Sequence, residues 1–288
     1  MNIEVKGHSG CQIDVVPEGE DIYVYKSTKD PKYLNRLVLQ AEKQKAAGRV
    51  EYQHIRVPEV FEINREADMT VIKMQYVYSK NFIEFFEQAG FEQINYLIGA
   101  LKYFLEYEID QCKLDSVPAS IFLSKFAEVK GKTETNPYCK DDEEIKDILA
   151  KAGEWFQSIE RLLIPVGLCH GDLTFSNVLF NGNNYYLIDF LDSFVETPLQ
   201  DIVKIRQDTR YYWSQLMYTK HYDAVRLRIV CDKIDREIDT YFSEKYPWYA
   251  DNYKTMQLMN ILRILPYVHE ERVVNYLKNI LKDLLHGI

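Results

Sequence analysis

His170-Gly171-Asp172-Leu173-Thr174-Phe175-Ser176-Asn177, followed by Leu187-Ile188-Asp189-Phe190, decides how the rest of the chain is read. It gathers Asp172, Asn177 and Asp189, three side chains suited to handling protons or metal ions, into one short stretch. Moving a phosphoryl group from a nucleotide to a hydroxyl asks little covalent chemistry of a protein. It asks for a base on the acceptor and for Mg²⁺ held against the phosphates. A D-x-x-x-x-N run with a second carboxylate at the end of a later strand supplies both.

The spacing also predicts a shape. Asn177-Val178-Leu179-Phe180 and Tyr185-Tyr186-Leu187-Ile188 are β-prone runs on either side of Asn181-Gly182-Asn183-Asn184, and Asn-Gly between two apolar runs signals a hairpin. Pairing Phe180 with Tyr185 and stepping outward sets Asn177 against Ile188, next to Asp189. Directly opposed residues have Cα atoms roughly 4.5–5.5 Å apart, so Asn177 and Asp189 come close enough to share one ion. An amide oxygen and a carboxylate are hard ligands suited to Mg²⁺, which keeps waters and substrate phosphates in its shell. Asp172 lies upstream of the hairpin, where it is able to face the acceptor.

In these residues the chain resembles the aminoglycoside phosphotransferase and choline kinase family. The pattern H-G-D-x-x-x-x-N, then I-D-F, then P-x-x-D is present as His170 to Asn177, Ile188-Asp189-Phe190 and Pro198-Leu199-Gln200-Asp201. The resemblance is specific over about residues 165–205. It implies an α+β, two-lobed protein-kinase-like fold, with a small antiparallel-sheet N-lobe and a larger, mainly helical C-lobe. It further implies that Asp172 is the catalytic base, that Asn177 and Asp189 hold Mg²⁺, and that His170 and Asp201 brace the loop. The position after Asp189-Phe190 is Leu191, not the glycine of protein kinases, which argues against a flipping Asp-Phe-Gly switch. Asp192 is either a further acidic group near the metal or a solvated loop carboxylate.

Composition sets the outer bounds. The chain has 288 residues, 47% hydrophobic and 27% charged, which suits one large domain or two lobes. A net charge of −9 argues against nucleic-acid binding, which wants a basic patch. Five scattered cysteines, with no C-x-x-C, read as reduced thiols in a cytoplasmic protein. The N-terminal residues lack an apolar core of the signal-peptide kind, and no run approaches the roughly 18 apolar residues of a membrane span.

Along the chain, short strands are predicted at Ile3-Glu4-Val5, Gln12 to Val16 and Ile22 to Lys26, then a helix from about Tyr33 to Ala47, then strands near 59–63 and 70–77. That order is the N-lobe order of a kinase, and the lobe boundary falls near residue 78: residues 1–78 bind nucleotide, and 79–288 carry catalysis and the acceptor. Carried over from the family, Gly7 and Gly10 form the turn over the phosphates. Lys26 meets the α- and β-phosphates, Glu42 holds that lysine, and the segment of Met74 and Tyr76 reads the nucleotide base of ATP or GTP. Each also has a plain structural reading: a hairpin turn for the glycines, an exposed edge lysine, a solvated helical glutamate, and the last strand of the lobe. Helices are predicted near 81–88, 92–107, 117–129, 142–163, 199–217, 220–243 and 250–283, the last broken near Pro266, with an exposed loop at 131–140.

Charge hints at the acceptor. Residues 1–78 carry 11 basic against 12 acidic side chains and the remainder 24 against 32, so −8 of the charge lies in the larger part. An acidic cleft concentrates cations, and Tyr211-Tyr212-Trp213 and Trp248-Tyr249 offer aromatic faces of the kind that hold a quaternary ammonium. An amino alcohol such as choline, or an aminoglycoside, fits. A sugar or polyol of surface-polysaccharide metabolism and a non-catalytic nucleotide-binding pseudokinase stay open.

Overall fold

A computed structural model describes residues 11–286. The strand expected at Ile3-Glu4-Val5 and the glycines Gly7 and Gly10 lie outside the described residues. In chain order the elements are β1 (Gln12–Glu18), β2 (Asp21–Thr28), α1 (Leu34–Ala47), β3 (Ile55–Arg56), β4 (Val60–Arg65), β5 (Thr70–Gln75), α2 (Phe82–Gln88) and α3 (Phe91–Asp110). Next come β6 (Lys113–Pro118), α4 (Ala119–Thr135), α5 (Glu143–Ser158), β7 (Arg161–Val166), β8 (Val178–Asn181) and β9 (Asn184–Leu187). The chain ends with α6 (Pro198–Thr209), α7 (Trp213–Leu216), α8 (Ala224–Lys245), α9 (Pro247–Leu262) and α10 (Glu271–His286). They fall into two compact units: 11–106 with His170–Asp192 and Thr219–Val230, and Tyr107–Cys169 with Ser193–Tyr218 and 231–286.

The first unit holds an antiparallel sheet in the order β1-β2-β5-β4. Its strands put one apolar face inward, and α1 covers that face with Leu37 and Ala41 packed on Cys11, Val60 and Ile72. These spacings are those of one helix stripe. A second sheet, β3-β9-β8, carries the hairpin. Phenylalanines of α2 hold it: Phe85 stacks on Phe180 at 4.4 Å, and Phe86 meets Phe175 edge-on at 5.1 Å. Asn81 and Glu84 form a capping box at the start of α2. At the other end Arg226 donates to Phe86 O (3.0 Å) and Ala89 O (2.6 Å), satisfying carbonyls that a helix end leaves open.

The second unit is mainly helical around a two-stranded ribbon, β6 antiparallel to β7. The strongly amphipathic α10 buries Val273, Val274, Leu277, Ile280, Leu281 and Leu284. Its Lys278 pairs at 2.8 Å with Asp142, whose side chain caps α5. No described helix is long and apolar enough to cross a membrane.

Four expectations need correction. The helix expected over 142–163 ends at Ser158, because Arg161–Val166 is strand β7. Its partner β6 replaces the start of the helix expected at 117, and α4 runs on to Thr135 through part of the expected loop. A continuous apolar run such as Leu162-Leu163-Ile164 fits helix and strand alike. Pro165 lies within β7, and a two-stranded ribbon is all edges, where proline is tolerated. The helix expected over 199–217 breaks at Tyr212, which takes a left-handed φ of +51°. The break near Pro266 is observed, as a 3₁₀ turn over Leu265–Tyr267 between α9 and α10.

Candidate active site

The β8–β9 hairpin has the register that its apolar runs predict: Phe180 faces Tyr185, and Ile188 N–H donates to Asn177 O at 3.0 Å. The turn is Gly182-Asn183, not Asn181-Gly182, with Gly182 supplying the positive φ of +57°. Asn177 closes a 3₁₀ turn over Phe175–Asn177, which points its amide back at the loop. Its Nδ2 donates to Asp172 O (2.8 Å) and Asp172 Oδ2 (3.1 Å), so the amide oxygen is the atom on which its expected metal role would rest.

His170 braces this loop from beneath. It is fully buried against the Phe190 ring at 4.2 Å. Its Nδ1 accepts from Asp172 N–H (3.2 Å) and its Nε2–H donates to Ile188 O (2.9 Å), which fixes a neutral tautomer. Burial pushes the imidazole down to about 4, outweighing the pull of the Asp172 and Asp189 carboxylates. The folded value lies below the unfolded one of roughly 6.5. His170 therefore stabilises the fold fully above that pH and loses the contribution as pH falls from about 6.5 to about 4, on the order of 3 kcal/mol in all. Urea unfolding of wild type and His170→Gln at pH 7.5, 6 and 5 should give a stability gap that shrinks with falling pH. A gap independent of pH would contradict a neutral buried His170.

Two backbone features mark the site. Gly171 has φ +91°, and a Cβ there would lie 2.1 Å from Leu191 O, so no other residue fits under that carbonyl. Asp189 has φ +61°, a left-handed conformation that costs a non-glycine residue about 1–3 kcal/mol and that concentrates at functional sites. The strained residue carries the expected metal carboxylate.

Lys26 is no edge lysine. It lies on the central strand β2, between Ile13 and Ile72, and its side chain is 8% exposed. Nζ meets Asp189 Oδ1 at 2.6 Å. Burial works against its charge, but the Asp189 carboxylate more than compensates and holds its pKa above the ordinary lysine value. Glu42 does not hold this lysine. It is exposed on α1, off the stripe formed by Leu37, Gln40, Ala41, Gln44 and Ala47. The residue of α1 that reaches the loop is its neighbour Lys43, whose Nζ donates to Leu191 O at 2.6 Å. Met74 is half-buried on β5 against the sheet core, and Tyr76 follows β5, edge-on to Tyr78 at 4.9 Å. Asp192 is spent on Arg36 at 3.0 Å, in an exposed pair.

Among the described residues no cluster of three or more His, Cys, Asp or Glu side chains is set to hold a metal ion. One amide oxygen and one carboxylate fit Mg²⁺ best of the biological ions, since it takes few protein ligands and completes its shell with water and phosphate oxygens.

In the second unit, Asp201 is fully buried in the first turn of α6. Tyr249 is core, not the wall of an aromatic cage: its hydroxyl donates to Asp239 (2.9 Å) and accepts from Arg206 (2.8 Å). Arg206 also makes a bidentate pair with Asp235 at 2.9 and 3.0 Å and lies over the Tyr253 ring. The burial of this cation is not evident from the residues around it in the sequence. Its signal was Asp235 and Asp239, four apart on one face of α8, where two carboxylates call for a partner.

Residues 107–224 match the model of the phosphotransferase enzyme family named APH, a span that contains the loop from His170 to Asn177, Asp189 and Asp201. The resemblance read from residues 165–205 is thus borne out within it, and the match is to a family of enzymes. Several solved structures are similar over nearly all of this chain. APH(2″)-IIia, in a complex with GDP and kanamycin, is 16% identical with a TM-score of 0.64, covering 100% of this chain and 92% of that one. Amicoumacin kinase hAmiN, solved with AMP-PNP, Ca²⁺ and Ami, is 9% identical with a TM-score of 0.60, covering 99% and 88%. Spectinomycin phosphotransferase APH(9)-Ia, solved with ADP and spectinomycin, is 12% identical with a TM-score of 0.51, covering 99% and 91%. At these identities the likeness shows the fold, the expected α+β protein-kinase-like one. Among curated proteins no sequence matches this chain.

Proposed function

We propose that the chain is a small-molecule kinase that transfers the γ-phosphoryl group of ATP or GTP to a hydroxyl of a small acceptor. The observation that carries the reading is the presence in one compact unit of two pairs, Lys26 with Asp189 at 2.6 Å and Asn177 with Asp172 at 3.1 Å. Asp172 takes the proton of the acceptor hydroxyl as its oxygen bonds to the γ-phosphorus. The bond from that phosphorus to the bridging oxygen breaks, and a nucleoside diphosphate leaves. Lys26 turns its ammonium from Asp189 to the phosphates, and Asn177 holds Asp172 in place. When bound, Mg²⁺ neutralises charge on the phosphate oxygens, and Asn177 and Asp189 are the residues that would hold it. Residues 1–78 contribute the nucleotide-binding part, with Met74 and Tyr76 along the base, and 79–288 the acceptor part.

The acceptor is an amino alcohol or an aminoglycoside. The excess of −8 after residue 78 supports a cation, and kanamycin and spectinomycin occupy two of the similar structures. Exposed charges are screened over about 8 Å at physiological ionic strength, so kcat/KM for a cationic acceptor should fall steeply with salt once nucleotide and Mg²⁺ saturate. A neutral isostere should respond far less. Equal use of both with no salt slope would favour a sugar or polyol acceptor instead.

A further inference from the structure

We propose that Lys43 is the positioning residue through which α1 sets the metal carboxylate, a role that rests on the kinase reading. A left-handed residue such as Asp189 persists only where its surroundings over-determine it. Before Asp189, Ile188 is held at both ends, its N–H by Asn177 O and its carbonyl by His170 Nε2–H. After it, Leu191 is held in the same way: its N–H donates to His170 O at 2.9 Å and its carbonyl accepts from Lys43 Nζ at 2.6 Å. That carbonyl is pressed over Gly171, which has no side chain to offer it a donor. Lys43 brings one from α1, on a long stem with a compact charge.

A second tie lies on the same stripe of the helix. Arg36 precedes Lys43 by two turns and pairs with Asp192, the residue after Leu191. The helix thus grips Leu191 and Asp192 in succession. With leucine in place of the glycine of a flipping Asp-Phe-Gly segment, the carbonyl after Phe190 is pinned, and Asp189 keeps one aim.

The test is calorimetry of Mg²⁺ titrated against a fixed non-hydrolysable ATP or GTP analogue, whichever the wild type binds, beside thermal unfolding of the same samples. Lys43→Met should raise the Mg²⁺ half-saturation about tenfold, the scale of one lost charged hydrogen bond. Lys43→Arg, which keeps a charged donor, should return it to within about threefold. Should Lys43→Met fail to fold, Lys43→Gln, a neutral donor, carries the test with a smaller rise. An unchanged Mg²⁺ requirement in the Met or Gln variant overturns the proposal, as does equal loss in Met and Arg variants that follows Tm alone. A wild type without Mg²⁺-dependent nucleotide binding overturns the kinase reading itself, whereas a wild type that binds beside an indifferent Lys43 variant leaves that reading intact.

Discussion

Asp172→Asn is expected to lower kcat by about 10²–10⁴, the usual worth of a positioned general base, with nucleotide affinity nearly unchanged. The substitution keeps the shape of the side chain. An amide oxygen is still able to accept from Asn177 Nδ2, as Asp172 Oδ2 does at 3.1 Å, and Asp172 N–H still reaches His170 Nδ1. The loop therefore keeps its form and loses only the proton acceptor. Steady-state turnover with saturating nucleotide and acceptor, paired with analogue binding, separates the two quantities. A variant within a few-fold of wild type would show that another group takes the proton. A parallel fall in nucleotide affinity would place Asp172 on the phosphates instead of the acceptor.

What could be read from the sequence was what short spacing determines. The hairpin register follows from two apolar runs and a turn residue, and it brought Asn177 beside Ile188 and Asp189. Lys26 could be singled out because its strand and the following helix have an order that few folds share. Glu42 was not: a one-residue difference on a helix rotates a side chain by about 100°, and only the packed structure tells which of Glu42 and Lys43 faces the loop. Strands β6 and β7 escaped for a related reason. Each is ambiguous by itself, and what makes them strands is a pairing between Lys113–Pro118 and Arg161–Val166 across an intervening pair of helices. Arg206 lay hidden because α6 buries nearly every residue it has, polar ones included, so periodicity gives no hint of which is paired.

The proposed phosphoryl transfer depends on a metal ion held against the phosphates, and removing Asp189 removes the carboxylate that would hold it. Asp189 is the one charged ligand proposed for the ion, and it stands 2.6 Å from Lys26, the proposed phosphate cation. Its side chain is 40% exposed and that of Lys26 8%, so its removal leaves a buried ammonium without its carboxylate, and thermal unfolding of the same samples checks that the variant is folded. Asn177, being neutral, contributes less charge to the ion, and Asn177→Ala should weaken Mg²⁺ dependence less than Asp189→Ala. The deciding measurement is calorimetric titration of Mg²⁺ against a fixed non-hydrolysable nucleotide analogue in wild type and Asp189→Ala. Mg²⁺-dependent nucleotide binding is expected in the wild type, and its abolition in the variant. An Asp189→Ala protein with the wild-type Mg²⁺ dependence would mean that Asp189 does not hold the ion.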